Sequence, residues 1–232
     1  MRVKNILGKY KHIVWALYVP LYTVGFFLLS DYRPDRYWVS YTALDDMIPF
    51  VPQFVLIYWT WFLLLLFSGI YLMFADADAF RRFMWSMIFG FTVAIATFYF
   101  FPSAQMLRPQ ELDLNNFFER MCSNLYQTDD NFAVMPSGHV IGSMVALFAL
   151  WDCRKFRKKP IIALLVTVLS LLICASTVLV KQHSILDVYG GFAVSAVMFV
   201  IVYVILGRRR YPELESIKAV RTIENAVVGI KD

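Results

Sequence analysis

The chain has 232 residues, of which 59 % are hydrophobic, and a formal net charge of +5. That apolar excess excludes a soluble globular domain, and the length is that of one domain. The positive charge does not point to nucleic acid as a partner, because it gathers on segments bordering long apolar runs.

A membrane-spanning helix needs about 20 mostly apolar residues. Six segments predict such spans: 13–30, 50–74, 84–102, 139–153, 161–180 and 184–206. Only helices and closed barrels satisfy backbone groups in lipid, and runs this continuous predict helices. The expected fold is all-α, an integral membrane bundle of six transmembrane helices over residues 1–210. The first run follows Arg2, Lys4, Lys9 and Lys11, yet it is too long for a signal peptide and no small-residue cleavage site follows it. It predicts a retained helix. Residues 211–232 form a mixed-charge cytoplasmic tail, either solvated or lying along an anionic inner leaflet.

With six spans, the N-terminus, the 75–83 loop, the 154–160 loop and the tail share one side, which holds 17 of the 22 Lys and Arg residues. Arg33, Arg36, Arg108, Arg120 and Lys181 lie opposite. The bias of basic residues toward cytoplasmic loops then predicts an N-in/C-in topology. The absence of an Asn-x-Ser/Thr acceptor fits a bacterial cytoplasmic membrane. Cys122, Cys153 and Cys174 fall at different depths, so no disulfide framework is expected, and no Cys or His spacing predicts a metal site.

The outer loops carry the polar motifs. In the first, 31–49, Asp45, Asp46 and Pro49 flank a short apolar patch and predict an interfacial half-helix capped by the two carboxylates. The second, about 103–138, is the longest; it contains Leu107-Arg108-Pro109 and closes on Met135-Pro136-Ser137-Gly138-His139. The third is only Lys181 and Gln182 before His183. Tyr58, Trp59, Trp61, Phe98, Tyr99 and Phe101 are expected in interfacial belts or on lipid faces.

Two of the chain's three histidines, His139 and His183, sit in these motifs at one expected depth. Asp187 follows His183 at the spacing that places both on one helix face. A neutral imidazole whose other nitrogen donates to a carboxylate is a competent nucleophile toward phosphorus. His183 and Asp187 fit those two parts. His139, at a helix start, fits a general acid for the leaving oxygen. Ser137, with the N–H groups of Gly138 and His139, would seat an anion at a helix N-terminus, and Arg108 would add positive charge. The competing account of either histidine is a polar side chain satisfied by a neighbouring carbonyl, and that of Arg108 is a snorkelling interface arginine.

The ordered set resembles the type-2 phosphatidic acid phosphatase superfamily: Arg108-Pro109, then Pro136-Ser137-Gly138-His139, then Ser176-x6-His183-x3-Asp187. The resemblance runs from about Arg108 to Gly191. It implies His183 as the nucleophile of a phosphohistidine, Asp187 as its partner and His139 as the acid. It further implies that Arg108, Ser137 and Gly138 bind phosphate and that no cofactor or metal is required. Two family positions differ. Phe101 stands where the first motif usually has Lys, and Thr177 where the third usually has Arg; Lys181 is the expected substitute cation. The Lys181-Gln182-His183 pattern resembles the branch that includes inositol phosphorylceramide synthases. The expected activity is hydrolysis of a lipid or prenol phosphate ester at the extracytoplasmic face. Transfer of a phospho-head-group to a lipid or inositol-like alcohol, and a non-enzymatic lipid-binding or transport role on a degenerate scaffold, are the alternatives.

Overall fold

The computed structural model of the chain describes residues 11–30 and 33–208. The basic residues Arg2, Lys4, Lys9, Arg209 and Arg210, and the tail at 211–232, lie outside the described residues. Within them the protein is mostly helical and carries five helices long and apolar enough to cross a membrane. The first opens as a 3-10 turn, Lys11–Leu17, and continues as α1, Tyr18–Ser30. A short β1, Trp38–Val39, and a helix α2, Ala43–Met47, lead to α3, Val55–Ala75, and α4, Ala77–Phe100. After β2, Ser103–Ala104, come α5, Phe117–Thr128, α6, Gly138–Asp152, α7, Pro160–Leu179, and α8, Ile185–Phe199. The last helix continues through a π-helical turn, Val200–Ile205.

The fourth expected span, α6, is as short in the structure as in the sequence, with 15 residues. At 1.5 Å per residue it is about 22 Å long, short of the roughly 30 Å of a hydrocarbon core. The structure departs from the expected elements in three other places. The expected loop at 75–83 is absent: α3 and α4 meet at Asp76, whose carboxylate accepts from the N–H groups of Asp78 and Ala79 and caps α4. Arg81 and Arg82 therefore sit inside the first turns of a helix, paired with Asp78 and Asp152. The 103–138 loop holds the amphipathic helix α5. Finally, the fold is not wholly helical, because β1 and β2 pair in parallel with Trp38 opposite Ser103 and Val39 opposite Ala104.

Helix α6 is the hub, packed against α3, α4, α7 and α8. Eleven of its residues are buried, which is why its sequence is apolar all round despite its shortness. Phe80, Phe83, Met84 and Phe91 of α4 meet Ile141 and Val145 of α6 and Met198 of α8 in the main core. Close approach of α8 to α6 depends on Gly191, where an added Cβ would lie 2.7 Å from the Val140 Cβ and 3.1 Å from the Ser137 carbonyl oxygen. That contact sets the distance between the two segments bearing the histidine motifs.

The helix ends segregate. His12 bonds the Met73 carbonyl and Arg82 binds Asp152, which gathers the starts of the first and fourth helices with the end of α6. At the other end, loop backbone from three places is laced together. Ser40 N–H donates to the Ala104 carbonyl, Gln105 N–H to Asn131, and Ala133 N–H to Ser103. The Met135 N–H reaches the Ser103 hydroxyl at 3.1 Å. This small strand layer covers the end of the bundle where α6 and α8 begin.

Candidate active site

His183 does not lie on the helix face the sequence spacing predicts. Ser184 caps α8, its hydroxyl accepting from Leu186 N–H, so His183 precedes the helix and Asp187 sits in its first turn. The two still meet. Asp187 Oδ2 accepts from the Ser184 N–H at 2.9 Å and lies 3.3 Å from His183 Nδ1. The capping box, not an i,i+4 helix pair, brings them together.

The turn that delivers His183 is fixed from below. The Thr177 carbonyl accepts both the Gln182 and His183 N–H groups, at 2.9 and 3.0 Å. Lys181 adopts a φ of 53°, a left-handed conformation that reverses the chain between α7 and α8. Thr177, standing where the family usually has an arginine, thus helps shape the His183 turn through its backbone. Phe101, found in place of the expected lysine, caps α4 and is exposed.

His139 occupies the second position of α6, and its ring centroid is 6.2 Å from that of His183. It is held between aromatic rings of α3: Tyr58 at 4.0 Å, stacked, and Trp61 at 4.4 Å. Tyr58 in turn donates its hydroxyl to Asp129. Tyr58 and Phe98 are buried, contrary to the lipid-belt expectation, whereas Tyr99 and Phe101 are exposed as that expectation requires. Nothing in the spacing of the 58–61 aromatics distinguishes rings that face a histidine from rings that face lipid.

Arg108 is brought to the site through its carbonyl partners. Its guanidinium donates to the Tyr126 and Asp129 carbonyls at 3.1 and 2.6 Å and to Gln182 Oε1 at 2.9 Å, and it lies over the Tyr126 ring. Gln182 also donates to Asp129, tying Arg108 to the residue beside His183. Burial pulls the Arg108 pKa below its ordinary value, partly opposed by Tyr126 and the Asp129 and Asp130 carboxylates. Lys181 is placed differently from the phosphate contact the sequence predicts: its ammonium donates to the Asp45 and Ile48 carbonyls at 2.8 and 2.5 Å. Two of its three N–H groups are therefore committed to the first outer loop.

That loop does more than cap its own helix. Asp45 completes the Thr42 capping box of α2 and also accepts from Ser184 Oγ and the Ile185 N–H, at 2.7 and 2.8 Å. One carboxylate thereby joins two helix starts. Several donors around the histidines have no acceptor among the described residues. They include Arg108 Nε, Gln105 Nε2, Trp61 Nε1 and Ser137 Oγ, all buried, and the buried His139 Nε2 is likewise unpartnered. Ser137 precedes α6 without capping it, so the first N–H groups of that helix keep their donor capacity.

Such a collection of buried donors beside a carboxylate-oriented imidazole suits an oxyanion such as phosphate. The PAP2 superfamily model matches residues 103–211, the stretch holding all of these motifs. Over that stretch the chain is similar to the PAP2 superfamily. No curated protein and no solved structure shows significant similarity to it. PAP2 superfamily proteins are phosphatases and phosphotransferases, and the family carries lipid phosphate substrates and membrane association. The matched stretch contains both histidines, Asp187 and Arg108. Ser40, Asp45, Tyr58 and Trp61, which touch those residues or their turn, lie before it.

Proposed function

We propose that the protein is a membrane lipid phosphatase that hydrolyses a lipid or prenol phosphate ester through a phosphohistidine on His183. The observation that carries this reading is the set of buried polar atoms without a partner among the described residues, the donors Arg108 Nε and Ser137 Oγ and the ring nitrogen His139 Nε2. A buried unsatisfied donor costs about 1–3 kcal/mol, so a fold that retains several near one imidazole pair is built to satisfy them with a ligand.

In the first step, the Nε2 lone pair of neutral His183 attacks phosphorus and the bond to the lipid oxygen breaks. An imidazolium at His139 gives its proton to that oxygen, and the alcohol leaves. In the second, water attacks phosphorus as His139 takes its proton, and the P–N bond electrons return to His183. Inorganic phosphate departs and both imidazoles recover their starting states. Asp187 holds the proton on Nδ1 throughout and stabilises the cationic phosphohistidine. The start of α6 disfavours an imidazolium at His139. The bound phosphate dianion and the flanking faces of Tyr58 and Trp61 offset that field.

The end of the bundle carrying Arg82, Arg154, Lys155 and Arg157 is the more basic one, which supports a cytoplasmic assignment for it and an extracytoplasmic site at the other. The test is phosphate release by detergent-solubilised protein from phosphatidic acid and a polyprenyl phosphate, in excess chelator, beside His183→Ala. Release that survives this substitution overturns the mechanism.

A cleft of about 600 Å³ beside the site favours a second reading. Tyr41, Asp46, Ile48, Met106 and Lys181 are among its lining residues, and it reaches Leu107, next to Arg108, and Lys181, two residues before His183. An alcohol acceptor accommodated there would resolve the same phosphohistidine by transfer instead of hydrolysis. Phosphate release that falls as candidate alcohols are added, with matching formation of the alcohol's phosphomonoester, would select this reading. Absence of both activities with every substrate would leave the lipid-binding alternative.

A further inference from the structure

We propose that Ser40, in the first outer loop, is a positioning residue that locks the Asp187 carboxylate in the orientation His183 needs. This deepens the phosphatase reading and rests on it. The hydroxyl of Ser40 lies 2.5 Å from Asp187 Oδ1, and both residues are wholly buried. The other oxygen, Oδ2, serves Ser184 N–H and faces His183 Nδ1. The carboxylate thus has one oxygen for the histidine's turn and one for Ser40.

The 3.3 Å separation between Asp187 and His183 is long for a hydrogen bond. A small rotation of the carboxylate therefore decides whether the two engage. The Ser40 contact is at the short end of O–H···O⁻ bonds, the charge-assisted kind that resists such rotation. Its donation also keeps Asp187 an acceptor. With Oδ1 occupied by a hydroxyl proton and Oδ2 by an amide proton, the carboxylate presents only acceptor lone pairs to Nδ1, which selects the Nδ1–H tautomer and leaves the Nε2 lone pair for phosphorus.

Ser40 is itself anchored. Its N–H donates to the Ala104 carbonyl at 2.8 Å where β1 ends, and the neighbouring Ser103 hydroxyl accepts from Met135 N–H. Ser137 N–H closes the circuit by donating to the Asp187 carbonyl at 2.9 Å. The first loop, the Pro-Ser-Gly-His segment and the His-Asp turn therefore share one frame. The titratable groups around the pair are His139 across from His183, Asp45 through the Ser184 hydroxyl, and Lys181 through the Asp45 carbonyl. None of these replaces the bond at Oδ1.

The experiment compares Ser40→Ala and Ser40→Thr with the full-length parent in detergent. It reads kcat and KM for phosphate release, and ¹⁵N-histidine NMR of the His183 ring. A hydrogen bond to a charged group is worth enough to expect Ser40→Ala to lower kcat by about 10–100-fold. KM should stay within about twofold. Ser40→Thr, which keeps the hydroxyl, should recover most of the rate. Equal losses in both variants, or an unchanged rate in Ser40→Ala, overturn the proposal. The NMR arm is independent of activity: the Nδ1–H tautomer should dominate in the parent and lose population in Ser40→Ala, and identical spectra also overturn it. If Ser40→Ala does not fold, Ser40→Cys, a near-isostere with a weak donor, takes its place under the same criteria. Phosphate release surviving His183→Ala would instead refute the phosphohistidine reading and leave the tautomer result to stand alone.

Discussion

The imidazole of His139 lies 4.4 Å from the indole of Trp61, and it can do so because α6 has no side chain at Gly142. A Cβ added there would sit 2.6 Å from the indole nitrogen. The glycine one turn along from His139 is therefore what admits the aromatic wall of the site.

Gly142→Ala sets two effects against each other. Alanine improves helix propensity by about 1 kcal/mol. The clash with a rigid indole costs about 1–3 kcal/mol in a packed interior. The clash should win, because Trp61 is hemmed in by Phe62, Phe91 and His139. We expect a lower unfolding temperature in detergent and a kcat reduced by about tenfold or more as His139 shifts. A more stable variant of unchanged rate would show that the indole has no part in holding His139.

For the His-Asp pair, Asp187→Asn is the informative change. The amide oxygen can still accept from Ser184 N–H, but the amide cannot hold a proton on His183 Nδ1 with equal strength or stabilise a cationic phosphohistidine. In triads with the same logic, this substitution costs about four orders of magnitude in kcat with the geometry kept. We expect a loss of similar order here, with KM little changed and a folded protein by circular dichroism. A loss under tenfold would remove Asp187 from the mechanism.

Arg108→Lys separates charge from geometry. The guanidinium fork serves two carbonyls and Gln182 at once, and an ammonium cannot reproduce that planar set. Charge is retained, so a loss arises from positioning. We expect kcat/KM to fall by about 10–100-fold, measured with a lipid phosphate above and below KM. Wild-type kinetics would reduce Arg108 to a point charge.

Much of this arrangement could be read from the chain, in parts. Long apolar runs mark α3, α4, α7 and α8 because lipid demands continuous apolar sequence, and α6 is marked because it is buried on every side. The motifs at 136–139 and 183–187 carry glycine, capping serine and scarce histidine, which constrain local backbone strongly. What stayed hidden depends on contacts between distant segments. Ser40 and Asp45 reach Asp187 and Ser184 across 147 and 139 residues. A serine and an aspartate in a loop have no periodicity to betray such partners. The 75–83 junction reads as a loop for a local reason: Arg81 and Arg82 resemble loop charges, whereas in the fold Asp78 and Asp152 pair with them.

The last expectation concerns Lys181, whose sequence position suggested a phosphate contact but whose ammonium grips the carbonyls of Asp45 and Ile48. Lys181→Met keeps the stem and removes the charge, leaving two carbonyls without their donor. Hydrogen bonds to charged groups contribute about 1.5–3 kcal/mol, so the loop that carries Asp45 should loosen measurably. Burial lowers the Lys181 pKa, opposed by the Asp45 and Asp46 carboxylates. The sign follows directly. Below the folded-state value both states hold the proton, and between that value and the ordinary one the unfolded chain binds more, so this group makes stability rise with pH there. Lys181→Met should abolish that alkaline gain and lower the unfolding temperature at neutral pH. It should also raise hydrogen exchange across 42–50, while KM for a lipid phosphate changes by less than about threefold. A large rise in KM with unchanged exchange would return Lys181 to the phosphate and make the loop contact incidental.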